Sequence, residues 1–312
     1  MKTRFLITSL MCMMLSQVAS ALDAPARIYF KDKSHEDVLI TTYKRGYVTY
    51  KLNARALNTT RKGPDTIEAI YYYEVPLFKE AMALYKGRKY AEAKVKFLEC
   101  EVAYKQIDTA PNNYATLAGF FALECSRRSF DLDALSSGME KFRKDGLTQA
   151  HHLQQLEVNA FWEAVRLKDW ERLNRLALDW RTRKVTGSQR AQIAYCHGLA
   201  YEELAKKNPK LTTKALNSYN MSLSADFTAS VELVIEAASN ALRIYANDPE
   251  VKLAIRLWGT EDENDNGTGY LRLLEANALV KLYNQAGFDK LKPLSSDAKN
   301  FLKYEVSAAE AP

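Results

Sequence analysis

Residues 81–100, AMALYKGRKYAEAKVKFLEC, hold the pattern that decides the fold. Ala81, Leu84 and Tyr85 precede the polar turn Gly87-Arg88-Lys89, and Tyr90, Ala93, Phe97 and Cys100 follow it at offsets 0, 3, 7 and 10. Each half therefore presents one apolar helical face, and the pair reads as a helical hairpin. Outward from here a large apolar residue recurs at Tyr90, Phe130, Trp170, Leu211 and Val251, with spacings of 40, 40, 41 and 40. Ala93, Ala134, Leu173, Ala215 and Ala254 follow these anchors, and Arg127-Arg128-Ser129 and Lys168-Asp169 repeat the polar turn. One hairpin per fixed period predicts a mainly α chain, an α-solenoid of about five helical hairpins over residues 76–260.

Two further stripes support the helical spacing. Leu153, Leu156, Ala160, Phe161, Ala164 and Val165 fall on one face, and so do Val231, Val234, Ile235, Ala238, Leu242 and Tyr245. Pro111, Pro209 and Pro249 stand between such segments, where a residue lacking an N–H starts a helix or occupies a turn.

The motif Ala81-x2-Leu84-Tyr85 through Tyr90-x2-Ala93-x3-Phe97-x2-Cys100 resembles the tetratricopeptide repeat (TPR). The likeness covers roughly residues 76–258. The first unit matches well, the second keeps Tyr114, Leu117, Ala118 and Phe121, and the others match mainly in period. The resemblance implies close helix approach at Ala81 and Ala93 and a concave groove lined by first helices. Phe78, Met82 and Tyr85 in the first unit, and Val158, Trp162 and Arg166 in the third, are its implied partner-binding positions. The competing assignment for each is packing between helices. Signal peptide, β module, then TPR-like array is also the plan of bacterial envelope TPR proteins, which implies a protein or peptide partner in the envelope.

The chain's first 21 residues look like an export leader. Lys2 and Arg4 precede the apolar run from Phe5 to Leu15, and Ala19-Ser20-Ala21 offers small residues for cleavage after Ala21. The run is too short and too interrupted for a membrane span, and no later segment is apolar enough. A periplasmic or secreted protein with no transmembrane span in its mature chain is expected. Cys100, Cys125 and Cys196 remain after cleavage, each in a helical pattern where a buried thiol is the expectation.

Residues 22–75 change period. Arg27 to Phe30, Val38 to Tyr43, Tyr47 to Leu52 and Ile67 to Tyr73 are β-branched and aromatic runs, with Lys44-Arg45-Gly46 as a hairpin turn. About four strands predict a small β-sheet or SH3-like half-barrel packed on the helices that follow. Residues 27–63 carry nine basic groups against three acidic ones, whereas the remainder is near neutral. The basic character belongs to this module, suiting an anionic surface or a strand edge protected by charge.

The sequence holds little that points to catalysis. Adjacent His151 and His152 diverge by about 100° on a helix, as do Cys196 and His197, so neither pair makes a metal site alone. Asp262-x-Asn264-x-Asn266-Gly267 reproduces the first half of a calcium loop, but Leu273 stands where a carboxylate is needed. No phosphate loop, dinucleotide fingerprint or nucleophile elbow occurs. The expectation is a non-enzymatic scaffold or adaptor with no cofactor, no metal and no nucleic acid. The alternative is a glycan- or peptidoglycan-binding protein acting through the β module and exposed aromatics. Residues 261–269 are expected as a polar loop, 270–305 as capping helices and 306–312 as a disordered tail.

Overall fold

The computed structural model describes residues 22–227 and 230–305. The expected leader, 1–21, and the expected tail, 306–312, lie outside them. The chain is mainly helical with an N-terminal five-stranded antiparallel sheet. It divides into two compact units, residues 1–153 and 154–312. Among the described residues no helix is long and apolar enough to cross a membrane.

In the first unit the strands are β1 (Ala24–Phe30), β2 (His35–Lys44), β3 (Tyr47–Lys51), β4 (Thr60–Lys62) and β5 (Ile67–Tyr72), in the order β4-β3-β2-β1-β5. The sequence expectation of about four strands missed β4, three polar residues with no apolar alternation to mark them. The Lys44-Arg45-Gly46 turn is as expected at glycine, φ 81°, and Arg45 joins it at φ 52°. A two-residue hairpin with both central residues left-handed matches the twist of the strands it joins.

Alternation sorts the sheet into two faces. Ala24, Ala26, Ile28, Phe30, Val38, Ile40, Val48, Tyr50 and Tyr72 are buried, and share one core with α1 (Pro76–Lys86), α2 (Tyr90–Ala103) and α3 (Tyr114–Arg128). The sheet thus rests on the helices that follow, as its thin core requires. A fourth helix, α4 (Leu132–Lys141), packs on α3.

The second unit contains α6 (Trp170–Trp180), α7 (Gly187–Ala205), α8 (Thr212–Ala225), α9 (Val231–Asn247), α10 (Pro249–Leu257), α11 (Thr268–Gln285) and the short α12 (Ser296–Asn300). The helix before them, α5 (Ala150–Arg166), carries the division after Leu153. Helices α7 and α8 pack closely because Gly198 has no side chain: a Cβ there would stand 2.6 Å from the Tyr219 ring. Pro249 opens α10, and the Asp248 carboxylate caps it by accepting from the Glu250 N–H at 2.8 Å. The polar loop ends earlier than expected. Thr268 and Gly269 already belong to α11, and a Cβ on Gly269 would lie 2.2 Å from the Glu250 carbonyl oxygen.

Three connections share one backbone. After α1, α3 and α5, the middle residue of the turn is left-handed: Arg88 at φ 63°, Phe130 at 56° and Lys168 at 54°. Each middle N–H donates to the carbonyl three residues back, on Tyr85, Arg127 and Val165. Each following N–H, on Lys89, Asp131 and Asp169, donates to the carbonyl five back. This is the Schellman helix ending, made here without glycine.

Aligned on that turn, Tyr90 corresponds to Leu132 and Trp170, while Phe130 corresponds to Arg88 and Lys168. The expected anchor at Phe130 is therefore displaced by two residues, and the turns at 88, 130 and 168 lie 42 and 38 apart. An apolar residue occupies a turn position usually given to glycine, so apolar spacing alone points to Phe130 rather than Leu132. With the register corrected, Ala93, Leu135 and Leu173 are equivalent and all buried, replacing Ala134. Leu211 sits in a 3-10 turn and Val251 inside α10, and neither connection repeats the motif.

The stripe expected on α9 is buried except at Val231, which is half-buried. On α5 the buried face is rotated: Gln155 and Asn159 are buried, while Leu153, Leu156, Ala160 and Val165 are half-buried.

The left-handed turns give a direct test. Lys168 is exposed at φ 54°. Lys168→Gly is expected to stabilise the protein by about 0.5–1 kcal/mol by removing the Cβ conflict, and Lys168→Val to destabilise it by about 1 kcal/mol. Urea unfolding midpoints of the two variants read both signs.

Candidate functional site

The six helix positions expected to meet a partner separate into two groups. Phe78 is buried in the first core, its ring against Phe97, Tyr114 and Phe121 at centroid distances of 4.9–5.8 Å. Val158 and Trp162 are fully buried in the second unit. These three are packing residues, since an apolar helix face is enclosed by its neighbours before a partner arrives. Met82, Tyr85 and Arg166 are half-buried. Tyr85 packs on Tyr90, Phe97 and Phe121, and the Arg128 guanidinium lies 5.1 Å over its ring. Arg166 pairs with Glu163 through two bonds of 2.7 and 2.9 Å. In the shared register Arg166 corresponds to Lys86 and Arg128, not to Tyr85.

Trp162 is held by polar chemistry that its apolar surroundings did not suggest. Its Nε1–H donates to Gln192 Oε1 at 3.0 Å, and Gln192 exchanges two amide bonds with Gln155 at 2.9 and 3.0 Å. All three residues are buried. Gln192→Ala removes the acceptor shared by the Trp162 and Gln155 N–H groups and the donor to Gln155 Oε1, and is expected to cost about 2–4 kcal/mol of stability, measured by chemical denaturation. A second buried polar group lies in the first unit, where Arg127 holds Glu124 by bonds of 2.8 and 2.7 Å. Burial alone would raise the Glu124 pKa, but the charges and hydrogen bonds of Arg127 outweigh it and keep the carboxylate ionised.

The most exposed concentration of aromatic side chains is on the outer face of the sheet. Alternation that buries Ile28 and Tyr72 turns Arg27, Tyr29 and Tyr71 outward. Arg27 stands opposite both Asp37 on β2 and Tyr71 on β5, and Tyr29 stands opposite His35. Tyr71 is 60% exposed, Tyr47 43% and Tyr29 40%. Arg27 donates to both oxygens of Asp37 at 2.8 and 2.9 Å, and the Tyr73 hydroxyl donates to the same carboxylate at 2.6 Å. Those bonds, Arg27 first, hold the Asp37 pKa well below the usual carboxylate range. Tyr73 meets Tyr71 edge to face at 5.6 Å, and the Arg61 guanidinium lies 4.4 Å over Tyr47. The β-module expectation named the basic charge and the aromatic runs; the row around Arg27 needed the register.

A cleft of about 640 Å³ lies within the second unit, between α7, α8, α9 and the start of α10. Its charges are matched internally. Arg272 pairs with Asp248 at 2.6 Å and donates to Thr213 at 2.8 Å, and Arg243 pairs with Glu202 at 2.6 Å. Glu202 also accepts from the Tyr219 hydroxyl at 2.8 Å.

Cys100, Cys125 and Cys196 are buried free thiols, and burial pushes the first two up to about 12. Among the described residues no group of three or more His, Cys, Asp or Glu is placed to hold a metal ion. In the stretch from Asp262 to Gly267, the Asn264 carbonyl accepts from the N–H of Gly267, the residue just before α11. His197 stacks on Tyr201 at 4.0 Å and bonds Asn174 at 3.0 Å; His152 lies 4.5 Å from Phe120. Comparison with protein families, curated proteins and solved structures gives no match to this chain.

The histidines make stability depend on pH. Burial first, with Lys214 for His197 and His151 for His152, lowers both pKa values from 6.5 to about 4. The unfolded chain takes up these protons below about pH 6.5 while the folded chain refuses them until about pH 4. Stability should therefore fall as pH drops through that window. The double variant His152→Gln, His197→Gln should show a shallower fall when unfolding midpoints are compared across pH.

Proposed function

We propose that this chain is a non-enzymatic scaffold or adaptor of the bacterial envelope, built from TPR-like helical hairpins and exported behind a leader cleaved after Ala21. The observation that carries the architecture is the same Schellman ending at Arg88, Phe130 and Lys168, which starts each second helix in one register. A turn repeated with its hydrogen bonds is stronger support for repeated units than an apolar period. On this view the array is a TPR-like solenoid, and the helices after Thr268 cover its terminal face.

Contact with a protein partner then falls to Met82, Tyr85 and Arg166, which keep accessible surface, while Phe78, Val158 and Trp162 hold helices together. Expression in a Gram-negative host should yield a periplasmic protein whose N-terminus is Leu22. Crosslinking in intact cells should join it to envelope proteins, and Met82→Ala with Arg166→Ala should lose those products while the fold persists. An intact chain in the cytosol, or crosslinks indifferent to both substitutions, would remove this function.

A second reading is favoured by the exposed rings of Tyr29, Tyr47 and Tyr71. Here the sheet binds glycan, peptidoglycan included, and the helices serve as its base. Retention of the mature protein on cell-wall sacculi is the measurement that supports it.

A further inference from the structure

We propose that the outer face of the sheet, centred on Arg27 among Tyr29, Tyr71 and Tyr73, is a binding platform for an acidic glycan, a sugar chain carrying carboxylate groups. This rests on the glycan reading of the sheet and adds the ligand class and the residues.

The fold covers the rings only in part, Tyr29 lying 5.9 Å from His35 and Tyr71 5.6 Å from Tyr73. Their strands already bury the opposite row, so Tyr29 and Tyr71 keep 40% and 60% of their surface in water. Residues opposite each other on neighbouring strands stand about 5 Å apart and successive outward residues about 7 Å apart. Tyr71 beside Arg27, and Tyr29 one outward position along β1, therefore make a continuous shelf. Sugar rings present C–H faces that stack on such tyrosines and hydroxyl edges that need both donors and acceptors.

The centre of the shelf supplies both. Arg27 and Asp37 form a flat, two-bond pair, and Tyr73 fixes the same carboxylate. The guanidinium and the carboxylate are held before any ligand arrives, which lowers the ordering cost of binding. The phosphodiester backbone of DNA has no hydroxyl to donate to Asp37, whereas an acidic sugar chain carries hydroxyls beside its carboxylates, so only the latter offers Asp37 a donor.

Lys33 pairs with Glu68 at 3.2 Å, and the other cations collect at one end of the sheet. Lys31 donates its backbone N–H to Thr66 at 3.0 Å, a Cβ on Gly46 would lie 3.3 Å from Pro64, and the Lys62 ammonium lies 5.9 Å over Phe30. Lys31, Lys44, Arg61 and Lys62 therefore stand toward the end that carries Tyr29, within a segment of nine basic and three acidic residues. A chain stacked along the face meets positive charge at that end, which favours a polymer carrying negative groups over a neutral one.

The test is affinity electrophoresis of residues 22–312 in native gels containing polygalacturonate or dextran, with oligo-dT titration and sacculus pelleting alongside. Polygalacturonate should retard the protein, less so as salt rises, and dextran should not. Tyr71→Ala and Tyr29→Ala should each weaken retardation about tenfold, the loss of roughly one stacking contact. Tyr71→Phe should keep it, and Leu57→Ala, a fully exposed site elsewhere, should leave it unchanged. Near-ultraviolet circular dichroism checks that each variant is folded. Equal retardation by dextran would overturn the acidic ligand and leave the glycan reading standing. Absence of binding to both polymers and to sacculi would overturn both. Tyrosine-dependent binding of oligo-dT without glycan binding, or retardation unchanged in the tyrosine variants, would overturn the platform.

Discussion

The inner row of the sheet, from Ala24 to Tyr72, is closed over by α1, α2 and α3, and this burial fixes what the first unit can show to the outside. Side chains alternate along a strand, so placing Ile28 and Tyr72 in the core leaves Arg27, Tyr29 and Tyr71 no inward position. A slip of one residue would bury a guanidinium and expose the isoleucine. The bulges at Tyr29/Phe30 and between Ile40 and Thr42 adjust the strands locally. The tyrosine surface and the core are two consequences of one register.

Among the helices, the comparable constraint lies in the connections. A helix that ends at a left-handed residue frees two carbonyls for the reversing chain and sends the next helix back at a defined angle. Arg88, Phe130 and Lys168 accept that conformation although none is glycine. Asp131 and Asp169 then cap the following helices, each accepting at 3.1 Å, while Lys89 supplies no side-chain bond. One turn geometry therefore tolerates different side chains, which is why it is hard to see in the residues alone.

Several features were readable from the residues. The hairpin at 81–100, the sheet's main strands, the turn at Gly46, the helix start at Pro249 and the apolar face of α9 all follow from periodicity and backbone preference. The rest depends on contacts between distant residues. β4 has no apolar alternation, so only pairing with β3 defines it. The buried face of α5 includes Gln155 and Asn159 because Gln192 on α7 answers the former's amide, and polarity by itself suggested the outside. For the binding surfaces, sequence pattern located apolar helix positions but could not tell Phe78 and Trp162, which the core encloses, from Met82 and Arg166. It flagged the tyrosines and arginines of the sheet as a composition; their arrangement about Asp37 is a product of cross-strand register.

The three thiols leave the folded protein with little redox chemistry of its own. Buried and shifted away from their ionised form, Cys100 and Cys125 present almost no thiolate to an oxidant once the helices have closed. Before closure they have ordinary acidity, and with Cys196 they number three among the described residues, so any cross-link among these leaves one sulfur over. In an oxidising medium a newly made chain would set helix packing around α2, α3 and α7 against sulfur chemistry, since packing is what buries all three sulfurs.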